Sequence, residues 1–319
     1  MPSLPDVSVR SWVAIGPASL LDVLVPLRDE HRRVGPAELV PVEPENIERF
    51  VNEFRGERTA LLVVEDPNAP GFRHRFQSPM LRASGSIIGW LRLEHRELSA
   101  YARRAAALLE RRRRERPTLV LLAPRERRYV DLLEELEASA RSSELVSFRW
   151  SAERIRREPL TEALRLGASS VLYTGHGARN GWFAYGGLTA EMIVGAESWN
   201  FDETNAVLFS LSCSTGRGFA DGIVAGGAAG AVLAPLRDPL HLHSRALAHA
   251  IVRALGSRTA ALYEILERTE RDGGSLDGYA IVGDPAVPVA SAVGAERRGA
   301  AVFAPAGDAV LAADASWGA

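Results

Sequence analysis

The chain contains no lysine; all 38 of its Lys+Arg residues are arginine, a bias expected of a GC-rich, bacterial coding sequence before any function is considered. It has one cysteine, Cys213, which excludes an internal disulfide and fits a reducing compartment, so any thiol chemistry must rest on that residue. Long apolar runs are missing too. Leu119 to Ala123 and Ala228 to Leu236 fall well below the roughly 20 residues that span a bilayer, so no membrane crossing is expected. The start, Met1-Pro2-Ser3-Leu4-Pro5-Asp6, lacks the basic and apolar regions of a secretory signal, which makes the cytoplasm the expected location. Nor is there an excess of one charge: 38 cationic residues stand against 40 acidic ones, for a net charge of -2. No global field draws the molecule to polyanions, and neither nucleic acid nor membrane is expected as a partner.

What remains is the composition of a compactly folded protein, 46% hydrophobic and 24% charged over 319 residues. That length suits two domains better than one. Short apolar runs alternate with helical patterns from Ser11 onward, with strands at Ser11 to Ile15, Glu38 to Val42 and Ala60 to Val64, the second marked as an edge strand by Pro41. Pro26 is expected to kink or shorten a helix over Leu20 to Arg33, and Asp66 to Ser78 reads as a loop. A long helix ends in Arg111-Arg112-Arg113-Arg114, where positive charge complements the helix dipole and Pro117 stops the chain. The boundary is placed there. After it the alternation resumes with strands at Leu119 to Ala123, Leu145 to Trp150, Ser169 to Thr174, Ala206 to Leu211, Gly230 to Ala234 and Tyr279 to Val282. The expected class is α/β with a doubly wound, mostly parallel sheet and flanking helices. Residues 1–116 form an α/β subdomain without chemistry of its own, 117–291 a catalytic domain, and 292–319 an Ala/Gly-rich tail in which Ala301 to Leu311 could form a hairpin.

Reactive residues stand at the ends of two of these strands, the edge where open parallel sheets bind ligands. One run is Val171-Leu172-Tyr173-Thr174-Gly175-His176-Gly177; the other is Phe209-Ser210-Leu211-Ser212-Cys213-Ser214-Thr215-Gly216. If the strands are neighbours, His176 and Cys213 meet in one cleft. A nearby imidazole and a following helix N-terminus would lower the thiol pKa and supply thiolate, and the amides of Gly177 and Cys213 could form an oxyanion hole. A lone cysteine behind an apolar strand is ordinarily a small buried hydrophobe, and a lone histidine between glycines a loop residue. Their pairing at matched strand ends is what favours catalysis.

Gly175-His176-Gly177 followed by Leu211-Ser212-Cys213-Ser214-Thr215-Gly216 resembles the caspase-hemoglobinase superfamily (clan CD) of cysteine peptidases, nearest to the CHAT-type and gingipain-like members, with separases further off. Ile281-Val282-Gly283-Asp284-Pro285 resembles the terminal Gly-Asp-Pro of those domains, and the likeness covers about 117–289. The resemblance implies a caspase-like fold preceded by a smaller pseudo-caspase-like α/β subdomain. It implies a cysteine endopeptidase that forms a thioester acyl-enzyme, with His176 as general base, Cys213 as nucleophile and Gly177 as oxyanion donor. No metal or organic cofactor is required. The implied partners are a protein or peptide substrate and an activating or regulatory protein, with a bacterial defence or regulated-death pathway as the setting. Relatives are often kept inactive until cut, bound by calcium or engaged by a partner, and the tail beyond Ala292 could cover the cleft.

In this superfamily a charged side chain near the first strand or the catalytic loops often grips the residue before the cut. Arg125 would suit an acidic residue; Glu126, Asp221 and Asp238 would suit a basic one. Two other readings are weaker. Gly216-x-Gly218-x-x-x-Gly222 misses the dinucleotide-binding spacing, and His241 and His243 lie on different helix faces, which disfavours a metal site. The alternative to an enzyme is a catalytically silent caspase-like scaffold that binds a partner protein.

Overall fold

A computed structural model describes residues 11–54, 58–81, 85–112, 118–143, 145–195, 199–200, 202–257 and 261–289. The tail from 292, with its expected hairpin, lies outside the described residues, as do Arg113, Arg114 and Pro117. In the N-terminal half the order is β1 (Trp12–Gly16), α1 (Ala18–Leu21), α2 (Val25–Arg32), β2 (Ala37–Pro41), α3 (Ile47–Glu53), β3 (Ala60–Val64), β4 (Met80–Leu81), β5 (Ser86–Leu91) and α4 (His95–Arg112). The second half begins β6 (Thr118–Leu122), α5 (Arg127–Ser142), β7 (Val146–Arg149), α6 (Arg157–Leu164), β8 (Ser170–Thr174). A small hairpin sheet follows, β9 (Gly177–Ala178), β10 (Gly181–Trp182) and β11 (Leu188–Thr189), then α7 (Ala190–Val194). The chain ends with β12 (Asn205–Leu211), α8 (Phe219–Ala225), β13 (Ala229–Pro235), α9 (His241–Leu255), α10 (Leu262–Arg271) and β14 (Tyr279–Gly283).

Both halves share one sheet, ordered β2-β1-β3-β5-β14-β13-β12-β8-β6-β7, with β4 beside β5. All pairs on this path are parallel except β13 with β14. The N-terminal strands run with β14 and therefore opposite to β13, so the carboxyl ends of the two halves open on opposite edges of the sheet. β2 is the edge strand that Pro41 marks. The helix expected around Pro26 is broken into α1, a 3-10 turn (Asp22–Leu24) and α2, with Pro26 in the first turn of α2, where its missing N–H costs nothing. Features that escape the sequence pattern are β4, β5, the hairpin strands β9 to β11 with α7, and a 3-10 turn (Arg73–Arg75) inside the expected loop.

The core strands are buried on both faces, as parallel sheets require. Their side chains alternate. Val120, Leu122, Val171, Tyr173, Leu208 and Val232 pack in the layer that holds α4, α6 and α8, whereas Leu119, Leu121, Leu172, Phe209, Leu211 and Leu233 pack against α5, α9 and α10. A third cluster, with Ile15, Leu61, Val63 and Trp90, lies under α3.

The halves are tied at Asp284, which follows β14. Its carboxylate accepts from Trp12 Nε1 at 3.0 Å, from the amide of Ala286 at 2.9 Å, and lies 2.7 Å from His31 Nε2. Its own amide donates to Tyr101 Oη, which donates in turn to the carbonyl of Gly230. Gly283 must be glycine here: with φ at 104°, a Cβ would lie 2.4 Å from the Gly230 oxygen. Asp284→Ala leaves three buried donors without an acceptor and is expected to destabilise the chain by about 3–5 kcal/mol in urea unfolding; a loss below about 1 kcal/mol would contradict this account of the seam.

Candidate active site

In the second half the strand order is β7-β6-β8-β12-β13, so the chain leaves β6 to one side and returns on the other. The crevice at the carboxyl ends of β6 and β8 is the switch point at which such sheets place ligands. β8 and β12 are parallel neighbours, with Thr174 paired to Leu211. His176 and Cys213 each follow that pair by two positions. The alternation that turns Leu211 toward α5 and α9 assigns both residues to the same face. Tyr129, on the first turn of α5, meets the His176 imidazole edge-on, with ring centres 5.5 Å apart, and lies near enough to Cys213 for charge on the sulfur to oppose ionisation of its hydroxyl. On its other side it packs against His241 at 5.4 Å. Burial chiefly raises the Tyr129 pKa; Arg128 opposes this, and Glu126 and Cys213 add to it.

The histidine loop and the cysteine loop are packed directly together. A Cβ on Gly177 would lie 2.6 Å from Ser212 Oγ and 2.9 Å from Ser212 Cβ, so the close approach requires glycine. Trp182 on the hairpin donates to Ser210 Oγ at 2.9 Å, and Ser210 in turn bonds Ser212 and Thr215. The amide of Phe219, at the start of α8, donates to Arg179 O at 2.7 Å. These bonds fix the hairpin to both ends of the cysteine loop. Because Phe183 N donates to His176 O, the next pair, Gly177 with Trp182, is a non-bonded pair of the antiparallel ladder, and the Gly177 N–H points away from β10.

The imidazole is half exposed. Its Nε2 accepts from Arg128 Nη2 at 2.8 Å, and Glu126 Oε2 lies 3.3 Å away, itself 3.0 Å from Arg128. A guanidinium donating to Nε2 requires a neutral ring with its proton on Nδ1. The thiol differs from expectation. Its pKa is raised, first by burial, then by the charge of Asp238 and a hydrogen bond to it. Instead of a helix starting at the cysteine, the chain makes a 3-10 turn (Thr215–Arg217) before the seven residues of α8, so no long helix dipole favours the thiolate. Ser214 adopts a left-handed conformation (φ 55°, ψ 9°), and its hydroxyl donates to Asp238 at 2.9 Å.

The candidate substrate-gripping residues have separate roles in this structure. Asp221 commits both carboxylate oxygens to Arg73, at 2.6 and 2.7 Å, and is not presented to a substrate as expected. Arg73 also donates to Gly216 O at 2.9 Å, and Glu65 accepts from the amides of Phe72 and Arg73. Burial opposes the Arg73 charge, but Asp221, with Glu65 behind it, keeps its pKa above the usual value. Asp238 faces the cysteine loop, and Glu126 touches the imidazole. Arg125 lines a separate cleft on the β6 side of His176. Tyr129 and Arg73 were not legible as site residues: Tyr129 reads as one more apolar helix position, and Arg73 lies in a loop 148 residues before its partner Asp221. Among the described residues no group of three or more His, Cys, Asp or Glu could hold a metal ion, and no helix is long and apolar enough to cross a membrane.

No protein-family model matches the sequence. No curated protein matches it either. Solved structures do. The Arg-specific cysteine proteinase gingipain R (RgpB) aligns with a TM-score of 0.67 and 15% identity over 92% of this chain and 81% of that one. The complex of the pro- and mature domains of RgpB from Porphyromonas gingivalis aligns with a TM-score of 0.68 and 15% identity, covering 88% of this chain and 80% of that chain. The chain therefore shares the mixed α/β fold of gingipain R, with its mostly parallel central sheet flanked by helices.

Removing the charge that disfavours the thiolate has a definite sign. In Asp238→Asn the Cys213 pKa is expected to fall, so the pH midpoint of iodoacetamide alkylation moves down and the rate at pH 7.5 rises. An unchanged or higher midpoint would contradict the assignment of Asp238.

Proposed function

We propose that this protein is a cysteine endopeptidase in which Cys213 is the nucleophile and His176 the general base. The observation that carries this is the shared register: both residues stand two positions beyond the Thr174–Leu211 pair, on one face, with the Tyr129 ring edge-on to the His176 imidazole. The fold likeness to a cysteine proteinase supports it.

With its pKa raised, Cys213 rests as a thiol beside a neutral imidazole. The proton therefore moves as the thiol attacks: Sγ forms a bond to the peptide carbonyl carbon while His176 takes the thiol proton. For this the half-exposed imidazole must turn Nε2 from Arg128 toward the sulfur. The carbonyl oxygen becomes an oxyanion held by the amides of Gly177, directed away from β10, and of Cys213. Collapse breaks the C–N bond, and the leaving amine takes the proton from the imidazolium. The resulting thioester is then cleaved by water, with His176 again removing a proton. Glu126, 3.3 Å from Nε2 in the resting arrangement, stays near the ring as Nε2 turns to the sulfur, and its charge favours the imidazolium formed in both steps. The substrate is a protein or peptide, and no organic cofactor takes part.

The arginine preference named for gingipain R is not carried over, because Asp221 is neutralised by Arg73 and Asp238 faces the nucleophile's own loop. A randomised peptide library tests the reading. Wild-type protein is expected to cleave a subset of peptides, with loss on the order of 10⁴-fold or more in Cys213→Ala and in His176→Ala. Absence of cleavage by wild type would leave the partner-binding scaffold in its place, and cleavage surviving Cys213→Ala would overturn the assignment of Cys213 as nucleophile.

A further inference from the structure

The turn that follows Cys213 has a backbone that its own sequence does not favour. Ser214 lies in the left-handed region (φ 55°, ψ 9°), and the chain then makes the 3-10 turn Thr215–Arg217, with Arg217 N donating to Ser214 O at 3.2 Å. A serine stays in that region only where its surroundings impose it. Three contacts do so. The Ser214 hydroxyl donates to Asp238, Thr215 Oγ1 donates to Ser212 O at 3.0 Å, and Gly216 O accepts from Arg73 Nη2 at 2.9 Å. Gly216 itself rests on the end of β13: a Cβ there would lie 2.9 Å from the oxygens of Ala234 and Pro235.

Of these contacts, the one from Arg73 comes from the N-terminal half, and the loop that carries it is anchored at its base. Arg92, after β5, donates to Pro67 O at 2.9 Å and to Ala69 O at 2.7 Å. Glu65, buried after β3, accepts from the amides of Phe72 and Arg73. Gly71 fits against both side chains: a Cβ would lie 3.0 Å from Arg92 Nη1 and 3.2 Å from Glu65 Oε2. The approach to Arg73 is thereby fixed from the neighbouring strands β3 and β5. The guanidinium, 15% exposed, then uses both terminal nitrogens: Nη1 donates to Asp221 Oδ1, and Nη2 to Asp221 Oδ2 and Gly216 O. Its planar fork joins the turn to the first turn of α8, a geometry that a lysine ammonium, a point donor on a flexible stem, does not reproduce.

What the turn fixes is the amide of the nucleophile. A peptide group is planar and trans, so its C=O and N–H point in opposite directions. By holding Ser212 O, Thr215 sets the direction of the Cys213 N–H, the donor that the proposed reaction uses for the oxyanion. We propose that Arg73 is a positioning residue for this reaction: by holding Gly216 O it keeps the turn, and with it Thr215, in the arrangement that directs the Cys213 amide. Arg73 touches no reacting atom, and the amide it directs is used in the transition state, so its loss falls on kcat and not on KM.

The proposal rests on the peptidase reading, and two kinds of measurement separate their failures. With a peptide that wild type cleaves, Arg73→Ala is expected to lower kcat by about 10-fold or more, with KM within about 2-fold. Arg73→Lys keeps a cation beside Asp221 without the fork and is expected to lower kcat too; circular dichroism shows which variants are folded, and the lysine variant carries the test where the alanine variant is not. Glycine enters the left-handed region freely, so in a Ser214→Gly background Arg73→Ala is expected to cost about 5-fold less in kcat than in wild type. Hydrogen exchange read by mass spectrometry needs no catalysis: the segment 212–218 is expected to exchange about 10-fold faster in Arg73→Ala, with β8 unchanged. Faster exchange in a protein that cuts no peptide supports the role of Arg73 in holding the turn, and then only the peptidase reading fails. Unchanged exchange, an unchanged kcat, a loss carried by KM, or an equal loss in the Ser214→Gly background would overturn the proposal.

Discussion

The parallel pairing of β8 with β12 is the constraint on which the candidate site depends. Hydrogen bonds between the strands fix Thr174 against Leu211, and a slip of one residue would turn every side chain of one strand to the other face. Such a slip would bury Ser170 and Tyr173 against the wrong helices and carry His176 away from Tyr129. The packing of Val171, Leu172 and Phe209 in their two layers thus also sets the relation of imidazole to sulfur. Stability and site geometry share one cause.

Around that pair the protein supplies support from distant sequence. The loop from β3 to β5 must travel back along the strands, because both run in the same direction, and on the way Arg73 grips Asp221 and Gly216 in the segment that follows Cys213. The N-terminal half thus braces the cysteine loop while its own strand ends open on the opposite edge. At Asp284 the halves are joined again through His31 and Trp12. The first half has a structural role in the site even though it adds no reactive group to it.

Much of this architecture was legible because the core strands are short apolar runs with punctuation. Pro41 marked an edge strand, Pro26 a broken helix, and the glycines around His176 a tight strand end. Ser86–Leu91 was missed: its six residues follow a long irregular connection, and Gly89 interrupts the β-branched pattern, yet the glycine is required because a Cβ there would lie 2.1 Å from Gly283 O. The hairpin strands β9 to β11 are two residues each, too short for periodicity. In the site, strand ends identified His176 and Cys213 as candidates. Their electrostatics were not legible. The thiol responds to Asp238, the imidazole to Arg128, and Asp221 to Arg73, all relations made by the fold and not by sequence spacing.

The resting arrangement has chemical consequences. A thiol that is not already ionised is less exposed to adventitious alkylation and oxidation. The proposed reaction depends on a covalent sulfur intermediate. The most direct measurement is rapid acid quenching of a reaction with a good peptide ester, followed by mass mapping of the protein. The account requires a hydroxylamine-sensitive acyl group on Cys213 that accumulates before steady state and is missing in the His176→Ala protein. Turnover of the ester with no acyl group on Cys213, or with the acyl group on another side chain, would contradict it.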